Sequence, residues 1–234
     1  MEIQEKTKTK TRMYIDAGTT WTKILTAEFN PKANGYEKKY NVISTRELKK
    51  LNLTPSKATG HSIIKNCGYE NEVVALANGA KKFLEDDFIA LDLGSRDIKW
   101  VKYQNKKFKD MDWNSSCASA TGATIEMLLK FYDVKVSDLR YTKEKYAITC
   151  GIFGLEKIMD DVSMGLSADV AISKFIHGIA YNAYNFTKNP DKICISGGFC
   201  ENKCFIDSLE QYCKVVPLGR FVLVDGLFEM DLEK

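Results

Sequence analysis

An apolar stretch that ends in Asp-x-Gly, small hydroxyl residues and a lysine occurs twice in the chain, at residues 13–23 and 88–99. Asp16 and Asp92 supply the carboxylates, and Lys23 supplies a compact positive charge in the first copy. A glycine at such a turn brings backbone N–H groups against phosphate oxygens, and the aspartates would hold Mg²⁺ or orient an attacking water. The remaining phosphate-facing candidates are Gly18, Thr19, Thr20, Gly94 and Ser95. The repeat predicts two halves that close on one polyphosphate; the alternative is two unrelated β-hairpins with Asp-x-Gly turns.

A third segment, residues 193–202, joins an apolar strand to a helix through Gly197-Gly198. Glycines at a strand end let the backbone approach a nucleoside closely, and a helix N-terminus favours anionic oxygens. We therefore expect Gly197, Gly198 and Asn202 to hold the adenosine end of a nucleotide. A single Gly-Gly would be weak evidence, but this one follows two Asp-x-Gly segments.

The composition is that of an ordinary globular chain. The 234 residues carry a formal net charge of +3, which is too small to indicate nucleic-acid binding. No apolar run approaches the length of a membrane span, and the N-terminus lacks an apolar signal core, so we expect a cytoplasmic protein without a membrane partner. Seven cysteines at irregular spacing do not indicate a disulfide framework, which leaves metal or cluster chemistry open for some of them.

Apolar periodicity and turn residues predict alternating strands and helices. Strands are expected at 12–27, 37–46, within 51–65, and at 88–93, 99–103, 107–113, 146–149 and 192–196. Helices are expected at 71–83, 121–132, 154–164, 167–187, 202–213 and 222–233, with a short turn at 136–139. These elements place each glycine motif at the end of a strand.

Two phosphate segments followed by an adenosine segment, in this order, resemble the actin-like and sugar-kinase-like ATPases. Residues 113–122 and 147–153 indicate one branch of these ATPases. They are similar to Asn-x-x-Cys-Ala-Ala-Gly-Thr-Gly and Ser-Ser-Thr-Cys-Thr-Val-Phe segments of the BadF/BcrA-type activator ATPases of 2-hydroxyacyl-CoA dehydratases and benzoyl-CoA reductases. The likeness extends from about Met13 to Leu227.

This resemblance implies an α/β actin-like ATPase fold of two ribonuclease-H-like domains with the nucleotide cleft between them. The first domain would comprise residues 12–88, closed by a C-terminal helix at 219–234, and the second residues 89–218. ATP or ADP with Mg²⁺ would bind in the cleft, with Asp16 and Asp92 as catalytic and magnesium residues. ATP hydrolysis would then drive a change of angle between two subunits.

The resemblance also implies that Cys117 and Cys150 bind iron. In the activators, two subunits share one [4Fe–4S] cluster, so each chain of a homodimer gives two thiolates. A ferredoxin or flavodoxin would donate an electron, and an iron–sulfur dehydratase-like or double-cubane-cluster enzyme would accept it. Gly122 and Glu126 follow Cys117, and Glu126 is a candidate relay between nucleotide and cluster. From the residues alone, both cysteines could instead be small buried hydrophobes.

Several observations keep other interpretations open. Arg96 stands where the family usually has glutamine, and Ala120 where it has glycine, so hydrolysis is an open question. A small-molecule kinase and a cluster-free scaffold ATPase of the same fold are the alternatives. Cys200, Cys204 and Cys213 could form a separate metal site. Neither histidine falls in a ligand pattern: His177 is expected to be a partly buried helix residue, and His61 is left without a role.

Overall fold

The computed structural model describes residues 11–62, 64, 66–83, 87–114, 122–149 and 151–233. Its strands form two five-stranded sheets. The first contains β1 (Thr11–Ala17), β2 (Trp21–Asn30), β3 (Gly35–Ser44), β4 (Lys57–Thr59) and β5 (Gly68–Tyr69), in the order β3-β2-β1-β4-β5. The second contains β6 (Phe88–Leu93), β7 (Ile98–Gln104), β8 (Lys107–Asn114), β9 (Lys192–Ser196) and β10 (Lys214–Gly219), in the order β10-β9-β6-β7-β8.

The two sheets are built on the same plan. In each, three strands form an antiparallel meander, a later strand pairs in parallel with its first strand, and a further strand pairs in parallel with that one. The first strands, β1 and β6, are therefore central, and β6 is buried along its whole length. Both Asp-x-Gly motifs lie at the carboxyl end of such a central strand, which is where open α/β sheets bind ligands.

Seven α-helices complete the described part of the chain. They are α1 (Thr45–Leu48), α2 (Glu72–Phe83), α3 (Gly122–Phe131), α4 (Gly151–Ser163), α5 (Ala168–Phe186), α6 (Lys203–Leu209) and α7 (Val222–Leu232). Short 3-10 turns cover Val136–Asp138 and Gly198–Glu201. None of the described helices combines the length and apolar character needed to cross a membrane.

Helices α2 and α7 join the two sheets. Their apolar residues, among them Leu76 and Leu227, share one buried cluster with Tyr14 of the first sheet and Val101 of the second. The opposite face of the second sheet carries a larger core, to which α3, α4, α5 and α6 contribute. Packing of two helices between the sheets fixes the distance between the two Asp-x-Gly loops.

The predicted strand at 146–149 is absent, and three elements were not predicted: α1, β5 and β10. Residues 146–149 are not a strand: the Tyr146 N–H donates to the Lys174 carbonyl, and Asn182 donates to the Ile148 carbonyl, so α5 takes hydrogen bonds that a strand would give to a sheet. Conversely, β10 was not predicted, because Pro217 and Gly219 interrupt its apolar pattern. The strand accommodates proline because it lies at the sheet edge.

The other elements agree with the predictions to within a few residues. The largest difference is at 202–213, where α6 ends at Leu209 and a turn leads into β10. The C-terminal helix is present as α7 and packs on α2 and on the first sheet. The domain boundary near residue 88 stays a prediction.

Candidate functional site

Each sheet presents an aspartate at the end of its first strand and a lysine directly across the hairpin. Asp16 is the cross-strand partner of Lys23, and Asp92 is the cross-strand partner of Lys99. The Nζ atom of Lys23 lies 2.8 Å from Oδ2 of Asp16, and the Nζ atom of Lys99 lies 3.2 Å from Oδ2 of Asp92. Both aspartates are buried. The repeated motif thus places two ion pairs at equivalent positions of the two sheets.

The electrostatics of these pairs keep Asp92 and Lys23 charged. Burial by itself would raise the pKa of Asp92, but the positive charges of Lys99 and Lys23 outweigh burial and lower it. The Ser196 hydroxyl also donates a 2.9 Å hydrogen bond to Oδ1 of Asp92. Burial would likewise lower the pKa of Lys23, but attraction to Asp16 and Asp92 raises it. Lys23 therefore responds to a carboxylate in each half of the fold.

A cleft with a cavity volume of about 340 Å³ contains both Asp-x-Gly loops, a size that suits a small-molecule ligand. All but one of the predicted nucleotide-binding residues line it: Asp16, Gly18, Thr19, Lys23, Asp92, Gly94, Ser95, Gly122, Gly197, Gly198 and Asn202. Thr20 is not among the lining residues; its carbonyl oxygen accepts a 2.9 Å hydrogen bond from the Thr45 N–H. Arg96 also lines the cleft and is exposed.

The Gly-Gly segment approaches the second aspartate closely. Gly197 has a φ of +89°, and a Cβ atom there would lie 2.9 Å from Oδ1 of Asp92. Only glycine fits such a position without strain. The Asn202 side chain accepts a 3.0 Å hydrogen bond from the Phe205 N–H and so caps α6 beside the cleft. Apolar side chains complete this lining and suit an adenine ring: Ile125, Leu129, Val136, Phe199 and Leu223.

Lys99 is the centre of a charge network that sequence reasoning missed. Its Nζ atom lies 3.3 Å from Oε2 of Glu72 and 3.3 Å from Oδ1 of Asp97, in addition to its contact with Asp92. The Trp113 indole donates a 2.6 Å hydrogen bond to Oδ2 of Asp97. Burial raises the pKa of Glu72 to about 7, against the lowering effect of Lys99.

The residues that sequence reasoning missed differ in how strongly the neighbouring sequence indicates a role in the site. Asp97 stands three residues after Gly94 inside the second motif, so a signal was present. Glu72 gives no local signal, because its only sequence feature is its position at the start of α2. The fold brings that helix end to the cleft.

Helix α3 is attached to both phosphate loops. The N–H groups of Gly122 and Ala123 donate 3.1 Å hydrogen bonds to the carbonyl oxygens of Gly94 and Ser95. Trp21, which directly follows the first loop, donates a hydrogen bond from its indole to Glu126 of α3. The helix that follows the Cys117 segment is thus linked directly to the loops that would contact phosphate.

Cys117 and Cys150 lie outside the described residues. The described cysteines form no disulfide: Cys67, Cys194, Cys200, Cys204 and Cys213. Burial raises the pKa of each of these thiols, to about 11 for Cys200 and Cys213. Such thiols are poor thiolate ligands at neutral pH.

The alternative of a site formed by Cys200, Cys204 and Cys213 is wrong within the described part of the chain. Their sulfurs donate to three separate carbonyl oxygens, those of Ile195, Arg140 and Leu209. His177 is the buried helix residue that was expected, with its ring 2.8 Å from the Tyr212 hydroxyl. His61, in contrast, lies near Glu72 and Asp97, a grouping that no spacing in the sequence indicates.

The cleft fits a magnesium nucleotide. Two buried carboxylates face it from opposite sheets, Lys23 and the backbone loops can meet phosphate, and Gly197 leaves space where any Cβ would collide. Two equivalent sheets with helices packed between them and this cleft define the class: the protein has the actin-like ATPase fold shared with sugar kinases.

The comparison with known proteins places the chain within this class. It is a homologue of the (R)-2-hydroxyglutaryl-CoA dehydratase activating ATPase of Acidaminococcus fermentans, with 22% identity over 197 residues, or 77% of this chain and 76% of the relative. It is also 24% identical over 147 residues to the uncharacterized protein MJ0004 of Methanocaldococcus jannaschii, 60% of each chain. No protein-family model matches the chain.

Solved structures agree on the fold. The activator of the 2-hydroxyisocaproyl-CoA dehydratase from Clostridium difficile with bound ADPNP superimposes with a TM-score of 0.77 at 17% identity, over 95% of both chains. Component A of the A. fermentans (R)-2-hydroxyglutaryl-CoA dehydratase gives 0.76 at 18% identity, over 96% of this chain and 99% of that chain. The predicted fold and the predicted resemblance to dehydratase activators are confirmed.

Proposed function

We propose that this protein is an ATP-dependent reductive activator, which couples ATP hydrolysis to delivery of one low-potential electron to an iron–sulfur partner enzyme. The main support for this function is the attachment of α3 to both phosphate loops. Hydrogen bonds to the Gly94 and Ser95 carbonyls hold it to the second loop, and a hydrogen bond from Trp21 links it to the first. Cys117 directly precedes this helix in the sequence. Homology to an activating ATPase supports the ATPase and activator parts of the proposal.

The nucleotide would bind with its phosphates between the two Asp-x-Gly loops. Lys23 holds Asp16 in an ion pair. With a nucleotide bound, Asp16 would be a ligand of the phosphate-bound Mg²⁺, and Lys23 would pair with a phosphate oxygen. Asp92 keeps its negative charge because Lys99 and Lys23 lower its pKa. It is therefore available to hold a magnesium-bound water or to orient the attacking water.

Closure of the cleft would move α3. A nucleotide shifts a conformational equilibrium only through contacts that differ between the two states. The γ-phosphate provides such a difference at Gly94 and Ser95, whose carbonyl oxygens hold the first turn of α3. Glu126 connects the same helix to the first loop, so it is the residue we propose as a positioning link between the two halves.

Cys117 and Cys150 would hold one [4Fe–4S] cluster together with the same pair of a second copy, in a homodimer. When bound, the cluster would supply a low-potential one-electron carrier. The resemblance of the segments around these two cysteines to the activator motifs supports this assignment. The donor would be a ferredoxin or flavodoxin, and the acceptor an iron–sulfur dehydratase-like or double-cubane-cluster enzyme, in the cytoplasm.

The test is an assay of anaerobically purified protein with ATP and no added phosphate acceptor. The proposal predicts release of inorganic phosphate, which Asp92→Asn abolishes, and ATP-dependent electron transfer to a low-potential dye after reduction. Phosphate transfer only to an added sugar or acid would indicate a small-molecule kinase instead. ATP-dependent pelleting without iron would indicate a scaffold ATPase.

A further inference from the structure

A second cavity adjoins the phosphate end of the cleft. Its volume is about 430 Å³, and Tyr69 and Trp113 contribute to its walls. His61 and Glu72 line both this cavity and the nucleotide cleft. These two side chains therefore form the partition between two spaces, a position that the proposed activity leaves without a role.

Three metal-ligating side chains meet at this partition. His61, Glu72 and Asp97 each offer a ligand atom, and these atoms all lie within 4.8 Å of one another. The His61 Nδ1 atom is 3.8 Å from Oε1 of Glu72, and its Nε2 atom is 3.9 Å from Oδ2 of Asp97. These separations are too long for hydrogen bonds, and two ligand atoms about 2.1 Å from one cation stand about 3 to 4 Å apart. An imidazole binds one cation through a single nitrogen, so one of the two carboxylates is already at that spacing and the other starts from within 4.8 Å.

One of these carboxylates is buried and has an oxygen without a hydrogen-bond partner. Glu72 is 4% exposed, and its Oε2 atom has no hydrogen-bond partner; Lys99 Nζ lies 3.3 Å away as an ion-pair contact. Lys99 is shared with Asp92 and Asp97, so one ammonium group faces three carboxylates. With Asp16 and Lys23 included, this end of the cleft carries four carboxylates and two ammonium groups. A buried excess of negative charge is costly unless a proton or a cation compensates it, and the raised pKa of Glu72 reflects that cost.

We propose that His61, Glu72 and Asp97 bind a divalent transition-metal cation of the Mn²⁺ class, at a site separate from the magnesium that Asp16 and Asp92 would hold with a nucleotide. One imidazole and two carboxylates favour Mn²⁺, Fe²⁺ or Zn²⁺ over Mg²⁺, which prefers oxygen ligands. Lys99 stays paired with Oε2 of Glu72 and Oδ1 of Asp97. The cation binds the oxygens nearer His61, which are Oε1 of Glu72 and Oδ2 of Asp97. The ion would fix the first turn of α2 beside the phosphate end of the cleft.

The test titrates the nucleotide-free full-length protein with Mn²⁺, because Mn²⁺ avoids the thiolate ligands that seven cysteines would offer to Zn²⁺. Free Mn²⁺ is counted by its EPR signal, and bound Mn²⁺ is examined for nitrogen modulation from a ligating imidazole. We expect one site per chain with nitrogen modulation. His61→Gln and Glu72→Gln should each weaken it about 10-fold or more, and His61→Gln should abolish the nitrogen signal. His61→Gln disturbs folding less than Glu72→Gln, because the His61 side chain is 23% exposed.

The control is Asp16→Asn, which removes a carboxylate of the nucleotide cleft but no proposed ligand of this ion. The proposal expects Mn²⁺ binding to survive this change. Binding that is lost in Asp16→Asn and kept in His61→Gln would assign the ion to the nucleotide cleft and overturn the proposal. Failure to bind any Mn²⁺ would overturn it as well, and neither result bears on ATP hydrolysis.

Discussion

The indole nitrogen of Trp21 donates a hydrogen bond of 2.7 Å to Oε1 of Glu126. Trp21 begins β2 directly after the first phosphate loop, and Glu126 lies on α3, which the second phosphate loop holds by two backbone hydrogen bonds. The pair therefore bridges the two halves of the fold beside the cleft. Both residues line that cleft, so a bound nucleotide would meet this bridge.

Removal of the Glu126 acceptor should loosen α3. In Glu126→Ala, Trp21 loses its partner, and we expect hydrogen exchange of the α3 amides to rise about 2- to 10-fold, since one hydrogen bond contributes about 0.5–1.5 kcal/mol. Glu126→Gln retains an acceptor oxygen and should stay close to wild type. Lys130→Ala, an exposed change one turn along α3, is the control. Equal exchange in Glu126→Ala and Lys130→Ala would show that the bridge does not restrain the helix.

Lys23 should contribute directly to nucleotide affinity. Its ammonium group is the charged donor of the first loop, and Lys23→Met removes a charge-assisted contact to phosphate. We expect the dissociation constant for Mg-ATP to rise about 10- to 100-fold, measured by calorimetry, because such contacts contribute about 1.5–3 kcal/mol. Lys32→Met, in the exposed turn between β2 and β3, should leave the constant unchanged. An unchanged constant in Lys23→Met would remove Lys23 from the site.

Gly197 and Gly198 should differ in their tolerance of alanine. Gly197→Ala places a methyl group 2.9 Å from Asp92 Oδ1 at a φ of +89°, which costs about 1–2 kcal/mol and displaces a site carboxylate. We expect a lower melting temperature and loss of Mg-ATP binding. Gly198→Ala is the matched control, since the nearest atom to its Cβ would be 3.7 Å away. Similar behaviour of the two variants would contradict the role given to Gly197.

His177 should make stability fall in mild acid. Burial lowers the pKa of His177 in the folded protein, so the unfolded chain binds the proton more tightly there. The stability due to neutral His177 is present above the unfolded value of about 6.5 and is lost as pH falls below it, by at most about 1.4 kcal/mol per pH unit. Urea unfolding between pH 7.5 and pH 5 measures this slope. His177→Gln should reduce the slope, whereas the second-histidine variant His61→Gln should keep it; equal slopes in all three proteins would contradict the assignment.

Those residues of the site that belong to short sequence motifs could be predicted. Asp16 and Asp92 each end an apolar strand before a glycine turn, and the strand register then puts Lys23 and Lys99 across from them. Gly197 is likewise recognisable, because its Gly-Gly follows an apolar strand and comes after two Asp-x-Gly segments. These features need only a few consecutive residues to be recognised.

The network around Lys99 was not predictable in the same way. Glu72 and Trp113 come from a helix start and a strand end that are far apart in the chain, and only tertiary packing brings them to Asp97 and Lys99. The same holds for Trp21 and Glu126, which are 105 residues apart. Residues 146–149 show the opposite effect. Their apolar pattern suggests a strand, but their backbone groups form hydrogen bonds with α5.

The most direct test of the central claim is iron and sulfide analysis of anaerobically purified protein. We expect a brown homodimer with about four irons per two chains, which Cys117→Ser and Cys150→Ser each lose and Cys67→Ser keeps. An iron-free wild-type protein, or iron that remains in Cys117→Ser, would contradict the account and leave an actin-like ATPase without an electron to deliver.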